Sequence, residues 1–201
     1  MVACYWPLRH TSFPFQWLLV FTLMTGESMA IHLPSEVILP VGGWLVVREH
    51  DLGVSGVIGL SVVAAAGNTL GATALYLAGR HGGRPLVRRF GRYVLVHESD
   101  IDAAARRMEG NAGRAVFISR LLPVVRTYAS FVAGMLDVPH GLFALSTFAG
   151  SFVWCLAFVA AGALLGQHWS EIRTPAEVVG VFVLTLSVAT VIALTIRTFQ
   201  R

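Results

Sequence analysis

Four charged side chains stand inside stretches of the sequence that are otherwise apolar. Two are carboxylates, Glu27 and Glu36, and two are guanidiniums, Arg120 and Arg126, in the segment FISRLLPVVRT. A guanidinium forms bidentate hydrogen bonds with a carboxylate or a phosphate, and a carboxylate balances a guanidinium or carries a proton. The four residues are therefore candidates for one site that pairs opposite charges or binds an anionic group.

The composition places these charges in a membrane protein. Of the 201 residues, 55% are hydrophobic and only 13% are charged, whereas soluble domains carry about 25% charged residues. The mean hydropathy is +0.68. Three runs without a charged side chain, 54–78, 141–166 and 178–196, are long enough to cross a hydrocarbon core, which needs about 20 apolar residues. We predict a transmembrane helix in each, and Asn68 in the first is a candidate for a hydrogen bond between helices.

The cost of burying charge indicates how the four charged residues must be accommodated. One charge at the middle of a bilayer costs about 2.5–3.5 kcal/mol, so four unpaired charges would cost about 10 kcal/mol. That cost is comparable to the stability of a whole domain. The two glutamates and two arginines are therefore expected to pair or to line a wet cavity. The alternative is that some lie at the membrane surface, which long arginine side chains reach.

Prolines interrupt the two apolar segments that carry these charges. The segment 13–47 contains Pro34 and Pro40, and the segment 115–136 contains Pro123 between its two arginines. Because proline lacks an N–H and disfavours helical geometry in the preceding residue, each segment is expected to break into two short helices. Such pieces are too short to cross a bilayer alone, which predicts two re-entrant hairpins. The break in the second segment would let both guanidiniums converge.

The distribution of charge predicts the orientation of the segments. The stretch 80–114 is rich in arginine, so the positive-inside rule makes it cytoplasmic, with Ser99 capping an amphipathic helix on the membrane face. We expect it to contact anionic lipid headgroups rather than nucleic acid, the alternative being that it only sets topology. LPSEVILPVGGWL and LPVVRTYASFVAGML share an order of Leu-Pro, charge and small pair in halves of opposite orientation, which is typical of inverted repeats.

These features predict an all-α integral membrane protein with about three full transmembrane helices, two opposed re-entrant helical hairpins in inverted repeats, and a cytoplasmic amphipathic helical segment. Residues 1–201 are treated as one membrane domain. Its parts are a first hairpin at 13–47, a span at 54–78, a basic segment at 80–114, a second hairpin at 115–136, and spans at 141–166 and 178–196.

The other motifs do not predict catalysis, a cofactor or a metal site. GVSG at 53–56 resembles the serine motif of intramembrane proteases, but every histidine lies at a segment end or in a loop, away from mid-span. GRHGGRP lacks the Gly-Lys-Ser/Thr of a phosphate-binding loop, and Cys4 and Cys155 form no metal motif or disulfide framework. A phosphatase would need a nucleophile beside the arginines, and proton exchange is the simpler role for the glutamates.

A series of motifs occurs in a fixed order along the chain. They are Glu27 with LPSEVILPVGG, then GNTLGATALYLAGRHGGRP, then FGRY at 90–93, and above all FISRLLPVVRTYASFVAGM. The pattern continues with Phe143, Gly150, Trp154, Gly162, Gly166 and Trp169. Over roughly Phe15 to Trp169 the chain resembles the DedA family of integral membrane proteins, part of the wider SNARE-associated or VTT domain superfamily.

The resemblance implies a lipid transporter or scramblase in the bacterial cytoplasmic membrane, with undecaprenyl phosphate as its substrate and no enzymatic activity. Arg120 and Arg126 match functional positions of the family, which predicts that they bind the lipid phosphate. Glu27 and Glu36 match acidic positions for which proton coupling is proposed. The alternatives are a general phospholipid scramblase, an ion or proton antiporter, and a protein that acts on membrane homeostasis indirectly. Association into a homo-oligomer is left open.

Overall fold

A computed structural model describes most of the chain between residues 12 and 165. The described residues are 12–29, 35–94, 106, 110–122 and 125–165. They are helical apart from short turns, and they contain no strand. The prediction of an all-α fold is therefore confirmed. The predicted span at 178–196, the amphipathic helix predicted to begin at Ser99, and the breaks predicted at Pro34 and Pro123 lie outside the described residues.

The described helices alternate between short and long elements. In chain order they are α1 (Phe13–Ser28), α2 (Ser35–Gly42), a π-helical segment (Gly43–Arg48), α3 (Gly53–Val94), α4 (Ala112–Arg120), α5 (Val125–Met135) and α6 (His140–Leu165). We refer to α1, α2 and the π-helical segment as the first helix group, and to α4 and α5 as the second helix group.

Two of these helices are long and apolar enough to cross a membrane. They are the 31 residues Gly53–Gly83 of α3 and the 25 residues His140–Leu164 of α6, and a crossing needs about 20. The first contains the predicted span 54–78, and the second covers residues 141–164 of the predicted span 141–166. Gly83 then bends α3 with φ 52° and ψ −156°, a conformation that is essentially restricted to glycine.

The first interrupted segment divides into two helices, as the sequence predicts, but Pro40 does not cause the division. The helix α1 ends at Ser28, and α2 begins at Ser35. Pro40 lies inside α2, so the prediction that it breaks the helix is wrong. A proline here removes one backbone hydrogen bond, to the Glu36 carbonyl, and the chain then continues into the wider π-helical segment.

Each helix group places one part on α3 and another part on α6. In the first group α1 packs against α3, while α2 and the π-helical segment pack against α6. In the second group α5 packs against α3 and α4 packs against α6. The two long helices therefore form a common support, and each short helix group lies against both of them.

Two apolar clusters form the core, one beside each helix group. The first apolar cluster consists of Val20, Met24, Leu39, Val46, Val47, Leu60, Ala64, Cys155 and Val159. The second apolar cluster consists of Ala72, Tyr76, Val116, Ala129, Val132, Ala133, Val138 and Phe143. Both α3 and α6 contribute residues to each cluster. The stretch of each long helix that joins its two sets of cluster residues therefore lies between the clusters.

Glycines allow the short helices to approach the long ones closely. A Cβ on Gly67 of α3 would stand 2.5 Å from the Phe21 carbonyl oxygen of α1. A Cβ on Gly134 of α5 would collide with the Tyr76 carbonyl oxygen of α3. Small residues at helix crossings are the usual means by which membrane helices bring their backbones together. This close packing holds α1 and α5 directly against α3.

Candidate functional site

A buried ion pair joins the two helix groups. Glu27, in the last turn of α1, accepts a charge-assisted hydrogen bond at Oε1 from Nη2 of Arg126, the second residue of α5. The Glu27 side chain is 5% exposed and the Arg126 side chain 11%. Removing one partner of a buried ion pair costs about 3–5 kcal/mol, because the other charge is left uncompensated. Neither side chain can therefore lose its partner without a large loss of stability.

Both members of the ion pair have a further polar partner. Arg126 Nη2 also donates to the Ser35 hydroxyl at 3.0 Å, and Ser35 is the first residue of α2. On the other side, the Asn68 amide of α3 has its nitrogen 3.3 Å from Glu27 Oε2 and 3.1 Å from the Met24 carbonyl when oriented to match its neighbours. The hydrogen bond between helices expected of Asn68 is thus formed, and it orients the Glu27 carboxylate.

Arg120, the last residue of α4, has different surroundings. It is 3% exposed, and its Nη2 donates to the Ser130 hydroxyl at 2.6 Å and to the Thr147 hydroxyl at 3.4 Å. Its guanidinium carbon lies 5.8 Å from the centre of the Phe143 ring, within the range of a cation–π interaction. Its Nε is buried and has no hydrogen-bond partner. No carboxylate of the described residues contacts it.

The energetic cost of this arrangement is considerable. A buried donor without a partner costs about 1–3 kcal/mol, and a guanidinium in the bilayer interior costs about 2.5–3.5 kcal/mol on the insertion scale. Hydroxyl groups supply only neutral acceptors for a full positive charge. Arg120 is therefore a buried cation whose charge is not balanced within the described part of the chain.

Ser130 connects the two arginines. Its hydroxyl accepts the hydrogen bond from Arg120 and donates to the Arg126 carbonyl at 3.1 Å, one turn earlier in α5. The end of α4 and the beginning of α5 thereby bring the two arginines into one polar network. Their charged groups nevertheless meet separate partners, Glu27 for one arginine and neutral hydroxyls for the other.

Glu36 does not join this network. It lies in the first turn of α2 and is half-buried, and no ion pair or hydrogen bond reaches its carboxylate from the described residues. A carboxylate in the first turn of a helix interacts favourably with the exposed backbone N–H groups there. Of the two acids that the sequence predicts as partners of the arginines, the structure brings only Glu27 to them.

The polar residues on the long helices lie between the two apolar clusters. On α3, Asn68 is midway between Gly53 and Gly83, with residues of the first cluster before it and residues of the second after it. On α6, Thr147 lies four residues after Phe143 of the second cluster and eight before Cys155 of the first. Together with the ion pair and Arg120, they form a polar layer between two apolar clusters.

Three hydroxyl residues of this layer have no signal in the sequence. Ser35, Ser130 and Thr147 are each fully buried, and each accepts a hydrogen bond from an arginine. Serine and threonine are common in membrane helices because their hydroxyls also bond to the backbone of their own helix. Only the positions of neighbouring helices distinguish a hydroxyl that binds a guanidinium from one that does not.

These features define a class of protein. Helices long and apolar enough to cross a bilayer, with an ion pair and a further cation buried midway along them, are typical of a multi-pass membrane protein with a polar functional site. The VTT domain model matches residues 33–164. The chain therefore belongs to the VTT domain family, and the resemblance to its DedA members is confirmed.

Several bacterial membrane proteins are similar to the chain. Undecaprenyl phosphate transporter A of Bacillus subtilis (strain 168) is 31% identical over 161 residues, which are 77% of this chain and 79% of that protein. An uncharacterized membrane protein of the same organism is 31% identical over 140 residues, 70% of this chain and 62% of the relative. An alkaline phosphatase-like protein of Lactococcus lactis subsp. cremoris (strain MG1363) is 30% identical over 155 residues, 75% of this chain and 71% of that relative. No solved structure matches.

Proposed function

We propose that this protein moves a lipid with a phosphate headgroup across the bacterial cytoplasmic membrane, and that the lipid is undecaprenyl phosphate. The observation that carries the proposal is the polar layer, where Arg120 and Arg126 are buried midway along membrane-length helices. Planar guanidiniums suit the geometry of a phosphate. The relative named undecaprenyl phosphate transporter A supports the choice of lipid.

We propose further that the two helix groups are opposed re-entrant hairpins in inverted repeats. Their α-helices are 16, 8, 9 and 11 residues long, which is short of the roughly 20 residues of a full crossing. Each group lies against both α3 and α6. In such an arrangement the hairpins enter from opposite sides and meet at the Glu27–Arg126 pair.

The lipid would cross with its headgroup in the polar layer and its tail in the surrounding bilayer. The carboxylate of Glu27 and a phosphate oxygen compete for the same donors on Arg126. Protonation of Glu27 removes its charge, which releases Arg126 for the phosphate. Transport would then be coupled to the proton gradient, because the side from which Glu27 takes its proton determines where the phosphate is bound.

We propose that the chain transports its lipid without hydrolysing it. Glu27 is the carboxylate that contacts an arginine of the polar layer, and its ion pair with Arg126 reduces its strength as a nucleophile. Hydrolysis and transport give different products, since hydrolysis releases free phosphate. Contact of the basic segment 80–114 with anionic lipid headgroups is a further part of this proposal.

Purified protein in liposomes tests the proposed function. A labelled polyprenyl phosphate is placed in one leaflet, and its appearance in the other leaflet is measured beside a neutral polyprenol and an ion-flux dye. We expect transfer of the phosphate lipid without release of free phosphate and without flux of any ion other than the coupled proton. Equal transfer of the polyprenol would indicate a general scramblase, ion flux alone would indicate an antiporter, and no flux would indicate an indirect role.

The matched control for this assay is an arginine outside the polar layer. Arg80 lies on α3, where it pairs with Asp137 and has a side chain that is 48% exposed. The substitution Arg80→Met removes the same charge without changing the polar layer, so transfer by this variant is expected to equal transfer by the unaltered protein. Loss of transfer in the control would mean that total positive charge, rather than the buried site, supports transport.

A further inference from the structure

Arg120 has donors that the protein does not use. A guanidinium carries five N–H donors, and the bonds to Ser130 and Thr147 both come from Nη2. The Nε donor is buried and has no partner. Because the residue is 3% exposed, bulk water does not cover the unused donor. The arrangement leaves room in the hydrogen-bond network for one more acceptor, and the uncompensated positive charge favours an anion.

Thr147 has an unused donor beside the same guanidinium. Threonines in a helix commonly donate to the carbonyl one turn earlier, as Thr25 does to Phe21 at 2.8 Å and Thr69 does to Ala65 at 2.7 Å. Thr147 instead accepts from Arg120, and its hydroxyl hydrogen meets no acceptor among the described residues. An incoming acceptor that binds Arg120 would therefore also find a hydroxyl donor on α6.

A close helix crossing brings these donors together. A Cβ on Gly150 of α6 would stand 2.8 Å from Arg120 Cβ and 2.8 Å from the Phe117 carbonyl, so glycine is needed for α4 to lie this close. The crossing lets the Arg120 side chain reach Thr147, one turn before Gly150 on the same helix. The Phe143 ring, a further turn away, lies against the guanidinium and keeps that side apolar.

We propose that Arg120, Ser130 and Thr147 form a phosphate subsite separate from the Arg126–Glu27 ion pair, in which the Thr147 hydroxyl is a hydrogen-bond donor to the phosphate. This inference rests on the proposed function and adds to it a further binding residue and an order of events. The phosphate first occupies the subsite at Arg120, whose charge is unbalanced. It engages Arg126 only after Glu27 has released that residue.

Binding to the purified protein in detergent micelles measures the role of the Thr147 hydroxyl. The probe is a short-chain polyprenyl phosphate, with the corresponding neutral polyprenol and inorganic phosphate as further arms. Thr147→Val has almost the same shape without the hydroxyl, and we expect it to weaken phosphate-lipid binding about tenfold. Thr147→Ser keeps the hydroxyl and is expected to bind within about twofold of the unaltered protein.

The matched control is Thr69→Val, since the Thr69 hydroxyl bonds only to the backbone of its own helix. We expect this control to leave lipid binding unchanged. Displacement of the lipid by inorganic phosphate would show that the subsite binds phosphate itself, whereas resistance to displacement would show that it binds phosphate as part of the lipid. Either result supports a phosphate subsite, provided that Thr147→Val weakens it.

Four outcomes would overturn the inference. If Thr147→Val binds the phosphate lipid as tightly as the control does, Thr147 is not a ligand, while transport by the unaltered protein still supports the proposed function. If Thr147→Ser is as weak as Thr147→Val, or if polyprenol binding falls equally, the effect is one of packing. If the unaltered protein neither binds nor moves a phosphate lipid, the proposed function fails and the subsite fails with it.

Discussion

Each short helix group packs against both long helices, and the two groups contribute opposite charge to the polar layer. In the first group both carboxylate oxygens of Glu27 have a hydrogen-bond donor, Arg126 at Oε1 and Asn68 at Oε2. In the second group Arg126 shares that ion pair, while Arg120 has hydroxyl partners and an unpaired Nε. The polar layer therefore contains two buried arginines and one partnered carboxylate.

This difference shows how one site can be stable and still be suited to bind an anion. The Arg126–Glu27 pair holds the two helix groups together, since each side chain neutralises the other. Arg120 contributes a buried positive charge that the described residues leave unbalanced, which is an unfavourable feature for folding alone. A binding site for an anion has such a feature because the ligand supplies the missing charge.

The largest expected effect is a difference in stability between variants of the two arginines. Arg126→Met leaves the Glu27 carboxylate buried without a counter-charge, so the free energy of unfolding is expected to fall by about 3–5 kcal/mol. Arg120→Met leaves no charge behind, and we expect a change within about 1 kcal/mol. Unfolding in detergent, followed by tryptophan fluorescence, measures both. Equal losses for the two variants would mean that Arg120 has a counter-charge in the folded protein.

A smaller loss of stability is expected at the crossing that positions Arg120. In Gly150→Ala the new Cβ would stand 2.8 Å from Arg120 Cβ, and overpacking of this kind costs about 1–3 kcal/mol. Gly141→Ala on the same helix is the control, because a Cβ there has nothing within 4 Å. The same unfolding measurement compares them. A Gly150→Ala variant as stable as the control would contradict the close approach of α4 to α6.

The geometry of the charge on Arg126 is tested by a conservative change. Arg126→Lys keeps the positive charge but loses the planar guanidinium, whose parallel donors suit a phosphate better than an ammonium does. We expect transport of polyprenyl phosphate in liposomes to fall about tenfold at unchanged expression, which corresponds to roughly one charge-assisted hydrogen bond. Transport at the unaltered rate would show that any cation suffices at this position.

The smallest expected effect concerns the energy source rather than the affinity. Glu27→Gln imitates the protonated carboxyl, so Arg126 stays available and phosphate-lipid binding is expected to stay within about threefold. Transport by this variant should no longer respond to an imposed pH gradient across the liposome membrane. Glu36→Gln is the control, since the Glu36 carboxylate has no partner in the polar layer. A gradient response that survives in Glu27→Gln and disappears in Glu36→Gln would reverse the roles of the two acids.

Several features of the site could be predicted because they follow from the cost of charge in an apolar sequence. The sequence marks Glu27, Arg120 and Arg126 as residues that require partners, and the structure gives Glu27 and Arg126 to each other. It also marks Asn68 as a polar group inside an apolar helix, and this residue does form the hydrogen bond between helices. These inferences need no knowledge of how the helices cross.

Other features could not be predicted because they depend on small differences in local geometry. The sequence predicts that Pro40 breaks a helix. In the structure α2 includes Pro40, loses one backbone hydrogen bond there, and continues into the π-helical segment. The sequence predicts equivalent roles for Glu36 and Glu27, but in the structure the neighbouring Ser35 bonds to Arg126 while no described residue contacts the Glu36 carboxylate. Local sequence patterns indicate which conformations are unfavourable, and tertiary packing determines which of them occur in the folded protein.

The sequence by itself determined the helical membrane class and the presence of charges that must be accommodated, because both follow from the transfer of side chains into an apolar medium. The tertiary structure decided which charges pair. Arg126 and Ser35 are separated by 91 residues along the chain, and the hydroxyls around Arg120 come from two further helices. Their meeting depends on where the helices cross, and the crossings are set by contacts between backbone and glycine that no short stretch of sequence contains.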